Sequence, residues 1–347
     1  MIKNSVARKR AVTVKDIAEV SGYSIATISR AINLKPGLSD ETRKAVLAFC
    51  EKLGYVANSS ARSLKKQRTF MIGTIIPTLD NAAYARMIIA IQNELLRSSF
   101  TLIHTESNFN LAIEFEQAKL LIERGAEGLI LLGVEHAPEL FSLINRRQIP
   151  CVTTYSYFED SKLPCVGFDN FLAMYEAVDF LIKMGHHRFA YISGVMKDND
   201  RVSERMRGVM ARIHEGGFSL PDRLIQQAPY TIMNGYQAMK GLLKYRREFT
   251  AVICGSDILA FGALSACRDN NVKVPDDLSI IGFDNQHFAQ HLWPPLTTVE
   301  TPGDTMGELA ANKIVNAVEN NTAIESVLLK TSIVHRKTVG LPRRDNP

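Results

Sequence analysis

Thr13-Val14-Lys15-Asp16-Ile17-Ala18-Glu19-Val20-Ser21-Gly22-Tyr23-Ser24-Ile25-Ala26-Thr27-Ile28-Ser29-Arg30-Ala31-Ile32-Asn33 reads as two short helices joined through a glycine. Thr13, with Asp16 at the third helical position, resembles a capping box, and Val14, Ile17, Ala18 and Ser21 share one face. Gly22 supplies a tight turn. Ser24 is the next N-cap, and Ile28, Ala31 and Ile32 fall on one side of the second helix. Ser39 caps a third helix through Leu53, with Ala45, Val46, Phe49 and Leu53 at helical spacing and Gly54 as the C-terminal stop. Three short helices with a glycine turn between the first two predict a helix-turn-helix module. A generic three-helix cap is the competing reading. The polar run Ser24-x-x-Thr27-x-Ser29-Arg30 on the second helix argues against it, and so does the charge.

The chain has 347 residues and a formal net charge of +5. Residues 1–68 carry 14 Lys and Arg against 5 Asp and Glu, a balance of +9, and the rest carries 27 against 31, a balance of −4. A small basic module on a mildly acidic body points to nucleic acid ahead of an anionic membrane. Between the two lies Ala57-Asn58-Ser59-Ser60-Ala61-Arg62-Ser63-Leu64-Lys65-Lys66. Asn58 is a good N-cap, but the two turns that follow are too short for an isolated helix and have only Ala61 and Leu64 as apolar side chains. The segment is either a solvated linker or a hinge that becomes helical when a partner supplies contacts.

From Thr69 the pattern changes to short apolar strands alternating with amphipathic helices. Strands are predicted at Met71–Ile76, Thr101–His104, Gly128–Leu132 and Cys151–Thr154, with helices at about Ala83–Arg97, Ala112–Arg124 and Pro138–Arg147. After Pro164 the alternation restarts, with strands near Cys165–Phe168, Phe189–Ser193, Ala251–Cys254 and Ser279–Gly282. This predicts an α/β body of two doubly wound parallel sheets with a ligand cleft at the strands' carboxyl ends. The expected divisions are a basic extension at 1–12, the helix-turn-helix at 13–57, the hinge at 58–68 and the core at 69–347. Lobe 1 is expected at about 69–164 and 300–329, with a helix near Thr305–Glu319, and lobe 2 at about 165–299 and 330–347.

Val14-Lys15-Asp16-Ile17-Ala18, Ser24 to Asn33, Ser39-x-x-Thr42-Arg43 and Leu53-Gly54-Tyr55 together resemble the DNA-binding domain of the LacI/GalR family of bacterial repressors. Ala-Arg-Ser-Leu-Lys at 61–65 resembles the hinge of purine-repressor-type members, although Ala57 stands where the family usually has proline. The core resembles the family's periplasmic-binding-protein-like body through Val166-Gly167-Phe168-Asp169-Asn170, Met184-Gly185-His186-His187-Arg188, Gly255-Ser256-Asp257 and Val274 to Asp284. The resemblance implies a cytoplasmic homodimeric repressor of a carbohydrate or sugar-acid utilisation operon, binding a pseudo-palindromic operator under control of a small-molecule effector (a sugar, a sugar acid or a related metabolite), with a purine- or sugar-phosphate-responsive co-repressor-type regulator as the alternative. No cofactor or metal is implied.

DNA contacts would come from Thr13, Ser24, Ile25, Ala26, Thr27, Ser29, Arg30 and Asn33, and from Asn58, Ala61, Leu64 and Lys65 in the hinge. Ile25 and Ala26 are apolar, so they read thymine methyl groups or exclude bulk, whereas Arg30 can bridge guanine acceptors or hold a phosphate. Leu64 would wedge into the minor groove. Effector contacts would come from Tyr84, Asp169, Arg201, Arg205, Tyr230 and Asp284. Carboxylates accept from vicinal hydroxyls and arginine offers a rigid donor fork. Turn capping competes at Asp169 and Asp284, an ordinary rim aromatic at Tyr230, and a solvated helix end at Arg201.

Other classes find little support. HExxH, P-loop and strand–helix GxGxxG signatures are absent, and no nucleophile elbow can be assembled, which speaks against an enzyme fused to a DNA-binding domain. The five cysteines form no CxxC pair, which predicts reduced buried thiols. His186 and His187 are adjacent and do not face one metal site well. No apolar run is long enough to span a membrane, and no signal peptide is read at the start. Trp293 is expected to pack at the rim or between the lobes.

Overall fold

The computed structural model describes residues 12–55 and 68–343. The expected N-terminal extension therefore lies outside the described residues almost entirely, as do Asn58, Ala61, Leu64 and Lys65. The chain divides into two compact units, Met1–Thr69 and Phe70–Pro347.

In the first unit, α1 (Val14–Ser21), α2 (Ile25–Ile32) and α3 (Asp40–Lys52) pack around Ile17, Ile28, Ala31, Val46 and Cys50. Local chemistry sets the ends of these helices. Thr13 and Asp16 form the reciprocal capping box on α1, and Gly22 stops it at φ 73. Ser24 and Ser39 cap α2 and α3 by accepting from the backbone NH groups of Thr27 and Thr42. The sequence reading quoted Arg43 within a motif but gave it no role. Its guanidinium donates to the carbonyls of Ala31 at 3.3 Å and Lys35 at 2.8 Å, tying α3 to the carboxyl end of α2.

Among its described residues the second unit has two six-stranded sheets. The first contains β1 (Met71–Ile76), β2 (Thr101–Glu106), β3 (Gly128–Leu132), β4 (Cys151–Thr154), β5 (Cys165–Gly167) and β11 (Val327–Leu328), in the order β11-β5-β4-β3-β1-β2. The second contains β6 (Phe189–Ser193), β7 (Ile225–Gln227), β8 (Ala251–Cys254), β9 (Ser279–Asp284), β10 (Thr297–Glu300) and β12 (Ser332–Val334), in the order β12-β10-β9-β8-β6-β7. All pairings are parallel except β10 with β12. The intervening helices are α4 (Ala82–Arg97), α5 (Leu111–Glu123), α6 (Pro138–Arg147), α7 (Asn170–Lys183), α8 (Asp200–Glu215), α9 (Ile232–Leu243), α10 (Asp257–Asp269) and α11 (Gly303–Asn320).

The structure departs from the expected lobe boundaries at one strand. Cys165–Gly167 does not open the second lobe but pairs with β4 and β11 in the first sheet. The chain crosses only afterwards, into α7, which packs on α8. Pro164 looked like a boundary locally, whereas the pairing depends on β11, more than 150 residues away. The chain returns after β10, because α11 packs against α4. It crosses again between β11 and β12.

Other expectations resolve in place. All five cysteines are buried and unbridged. His186 is a core residue, its ring nitrogens 2.9 Å from Thr250 Oγ1 and 3.0 Å from the Gly340 carbonyl, and His187 stacks on Phe218. Trp293 does not pack between the lobes, being 91% exposed. No helix among the described residues is long and apolar enough to cross a membrane.

Candidate effector cleft and DNA-binding face

The two sheets present their carboxyl ends to one cleft, and five of the six expected effector residues meet there. Arg205, one turn into α8, has every guanidinium nitrogen engaged. Nε donates to the Arg201 carbonyl at 3.2 Å, Nη1 to the Gly255 carbonyl at 3.0 Å and Nη2 to the Tyr230 hydroxyl at 3.4 Å. The group also lies 4.6 Å from the centre of the Phe283 ring. Asp284 ends β9 and accepts from Ser256 Oγ at 3.1 Å. Burial pushes its pKa up to about 6, which Arg205 and Ser256 offset only in part. Tyr84, in the first turn of α4, stands edge-on to Tyr155 at 5.1 Å, and burial pushes its hydroxyl up to about 12. Arg201, Arg205, Tyr230 and Asp284 all act electrostatically on the Tyr84 hydroxyl.

Asp169 is not part of this group. Its Oδ1 accepts from the Leu172 backbone NH at 2.9 Å and caps α7, the turn role that competed for it from the outset.

Arg201 is 4% exposed and bridges the lobes. Its Nη1 donates to the Leu132 carbonyl at the end of β3 at 3.1 Å and to Asp200 Oδ1 at 2.8 Å. Asp200 Oδ2 in turn accepts from Ser156 Oγ at 2.6 Å and the Val134 NH at 3.3 Å, both in the first lobe. Gln286 Nε2, from the second lobe, donates to Asn81 Oδ1 at 3.1 Å. The cavity bordered by Phe109, Leu132, Glu135 and Arg201 measures only about 10 Å³. A larger one of about 230 Å³ lies beside α4, against Tyr155, Asp284 and Gln286. The sequence reading missed Asn81, Phe109, Ser156, Asp200 and Gln286. Only Asn199-Asp200-Arg201 carried a signal, as a capped helix start ahead of Arg205.

Strained backbone collects at this cleft. Phe109 (φ 56), Tyr155 (φ 64), Asp284 (φ 107) and Asn285 (φ 48) all take positive φ without being glycine. Such conformations cost of order 1–3 kcal/mol each and persist where the surroundings over-determine them.

On α2 the predicted DNA contacts divide by exposure. Ser24, Ile25, Ala26, Arg30 and Asn33 are exposed, Thr27 and Ser29 are half-buried, and Ile28 points into the core. Ser24 Oγ and Thr27 Oγ1 lie 2.9 Å apart, and Asn33 Nδ2 donates to the Ser29 carbonyl at 2.7 Å. These pairs fix the polar face before any partner arrives. Thr13 is half-buried and engaged with Asp16 at 2.8 Å.

Comparison with known proteins follows this division. A family described as bacterial regulatory proteins, lacI family, matches residues 13–58, and a periplasmic binding protein-like domain matches 178–339. The chain is 31% identical over 330 residues to the HTH-type transcriptional regulator RegA of Clostridium saccharobutylicum, covering 94% of this chain and 99% of that protein. It is likewise 31% identical over 330 residues to the HTH-type transcriptional repressor PurR of Salmonella paratyphi B, covering 94% and 96%. Among solved structures, the lac repressor dimer bound to operator and the anti-inducer ONPF superposes with a TM-score of 0.84 at 21% identity, over 95% of this chain and all of that one. The transcriptional regulator CelR in complex with cellobiose gives 0.70 at 25% identity, over 94% and 99%.

Proposed function

The chain belongs to the LacI family of bacterial regulatory proteins, a transcriptional regulator rather than an enzyme, and we propose that it represses a carbohydrate-utilisation operon. As a homodimer it binds a pseudo-palindromic operator through α2 and the hinge, and releases or grips it according to what occupies the cleft. The solved relatives with operator and with cellobiose support the two halves of this reading.

The observation that weighs most is the charge balance of the converged cleft residues. Arg201 is already paired with Asp200, and the nitrogens of Arg205 are spent on protein acceptors close to Asp284. The net field favours a neutral hydroxylated ligand over a sugar acid or phosphate. Asp284 would accept from its hydroxyls. Arg201 Nε, buried with no hydrogen-bond partner among the described residues, would donate to one of its oxygens. Cleft closure would then bias the hinge by population shift. A purine effector is the second reading, favoured by the Tyr230 ring and by the likeness to PurR.

A thermal-shift screen with sugars, sugar acids, sugar phosphates and purines tests both readings. A true effector at a hundredfold excess over its Kd stabilises by about 2.7 kcal/mol. Any hit should then change operator affinity in a gel shift. Failure of all four compound classes to shift the melting transition contradicts the effector reading, and a purine-only response overturns the carbohydrate assignment.

A further inference from the structure

The carboxyl end of α2 is built around a residue that resists its own conformation. The last four carbonyls of a helix have no partner inside it. Here the Lys35 NH donates to the Arg30 carbonyl at 3.0 Å and the Leu34 NH to the Ala31 carbonyl at 3.3 Å. This pair of bonds is the left-handed helix stop usually made with glycine. Leu34 stands in the left-handed position instead, at φ 51, and is 74% exposed. A leucine there carries the strain of that region without the burial that would offset it. The same stop commonly gains from an apolar contact between its outer residues. In this chain those residues are Arg30 and Lys35, two exposed cations.

Arg43, near the start of α3, supplies what the turn lacks. Its Nη2 donates to the Lys35 carbonyl at 2.8 Å, and its Nη1 to the carbonyls of Ala31 at 3.3 Å and Arg30 at 3.4 Å. One planar fork thus spans both ends of the turn, which a lysine ammonium cannot do. Its charge also meets the negative end of the α2 dipole. All three bonds go to backbone, so the turn is held while the Arg30 and Lys35 side chains stay free at the end of the exposed face of α2.

We propose that Lys35 is a DNA-phosphate contact beside Arg30, and that Arg43 is the positioning residue that holds it there. This rests on the reading of α2 as the helix that meets the operator. A phosphate held by two cations at the end of that helix fixes its register without reading sequence. Neutralising the phosphate releases counterions, so the contact is visible in the salt dependence of binding. Arg43 itself touches no DNA in this arrangement and acts through the turn.

Fluorescence anisotropy of the full-length protein over a salt series tests the proposal. The probes are a duplex selected with the wild type from a randomised palindromic library and an unselected duplex of equal length. Lys35→Gln should make the slope of log K against log salt shallower by roughly 0.9 and weaken both duplexes by the same factor. Arg43→Lys keeps the charge but loses the fork, and should flatten the slope equally. Adding Lys35→Gln to Arg43→Lys should then have no further effect, whereas a merely structural arginine leaves the two losses additive. Leu34→Gly forms the stop without the arginine, so it should return Arg43→Lys to the wild-type slope even where that variant alone melts early. A wild-type slope in Lys35→Gln or in Arg43→Lys overturns the proposal and leaves the operator reading standing. Additive losses, or a Leu34→Gly change that restores nothing, do the same. A selection that enriches no duplex overturns both.

Discussion

Asp284 is the residue on which the cleft's pH response turns. Its pKa stands at about 6 against an ordinary 3.8, chiefly because burial penalises the carboxylate. The folded protein therefore holds this proton more tightly than the unfolded chain does. The group's contribution to stability is greatest below the ordinary value and declines as pH rises through about 6. A ligand hydroxyl that donates to the ionised carboxylate has the opposite preference, so effector affinity should rise over the same interval. Titration calorimetry from pH 5 to pH 7 should show Kd falling in the wild type and nearly flat in Asp284→Asn. A wild-type Kd that does not move across that interval removes Asp284 from the ligand's hydrogen bonds. The sequence alone marked Asp284 and Asp169 as equivalent strand-end carboxylates. Burial beneath Ser256 and Arg205 separates the first from the second, which caps α7.

Among the elements, α9 and α10 show what a repeated small residue is for. Gly235 and Gly262 face the neighbouring helix's backbone, and a β-carbon at either would fall inside van der Waals contact of the Leu259 or Ile232 carbonyl oxygen. The two helices thus pack backbone to backbone, and room for a methyl group exists only if they separate. Gly262→Ala should destabilise the core by about 1–3 kcal/mol, despite alanine's better helix propensity, read as a lower denaturant midpoint. An unchanged or raised midpoint would show that the helices can part freely. The start of α2 is governed differently, since its Ser24 cap is a purely local hydrogen bond.

For the molecule as a whole, the proposed function couples a cleft to a hinge. The cleft is closed by Asp200, Arg201 and Gln286 reaching from the second lobe to Leu132, Val134, Ser156 and Asn81 in the first. The proposed hinge, residues 58–66, lies outside the described residues, and the proposal makes Leu64 the wedge that unstacks a base step. Leu64→Ala should remove most specific operator affinity while leaving effector binding intact. The slope of log K against log salt, set at roughly −0.9 per neutralised phosphate, should stay the same, because leucine neutralises none. Fluorescence anisotropy over a salt series separates these effects, and wild-type operator affinity in the variant would sink the wedge.

Periodicity, caps and glycine stops act over a few residues. The sequence by itself therefore determined the three N-terminal helices, the α/β alternation and the basic–acidic division. The convergence of Tyr84, Arg205, Tyr230 and Asp284 on one cleft was also legible, because they occupy positions that the family resemblance marks, and Arg201 followed from its place one turn before Arg205. Only the tertiary structure decided that Cys165–Gly167 belongs to the first sheet, that Asp169 caps a helix, and that Phe109 and Asp200 join the cleft. The strand pairing and the two cleft positions depend on partners tens to hundreds of residues away, brought together by crossovers between lobes, whereas the Asp169 cap is a contact three residues long and was one of the two readings open in the sequence. No local pattern encodes a pairing whose energy comes from burying two distant segments against each other.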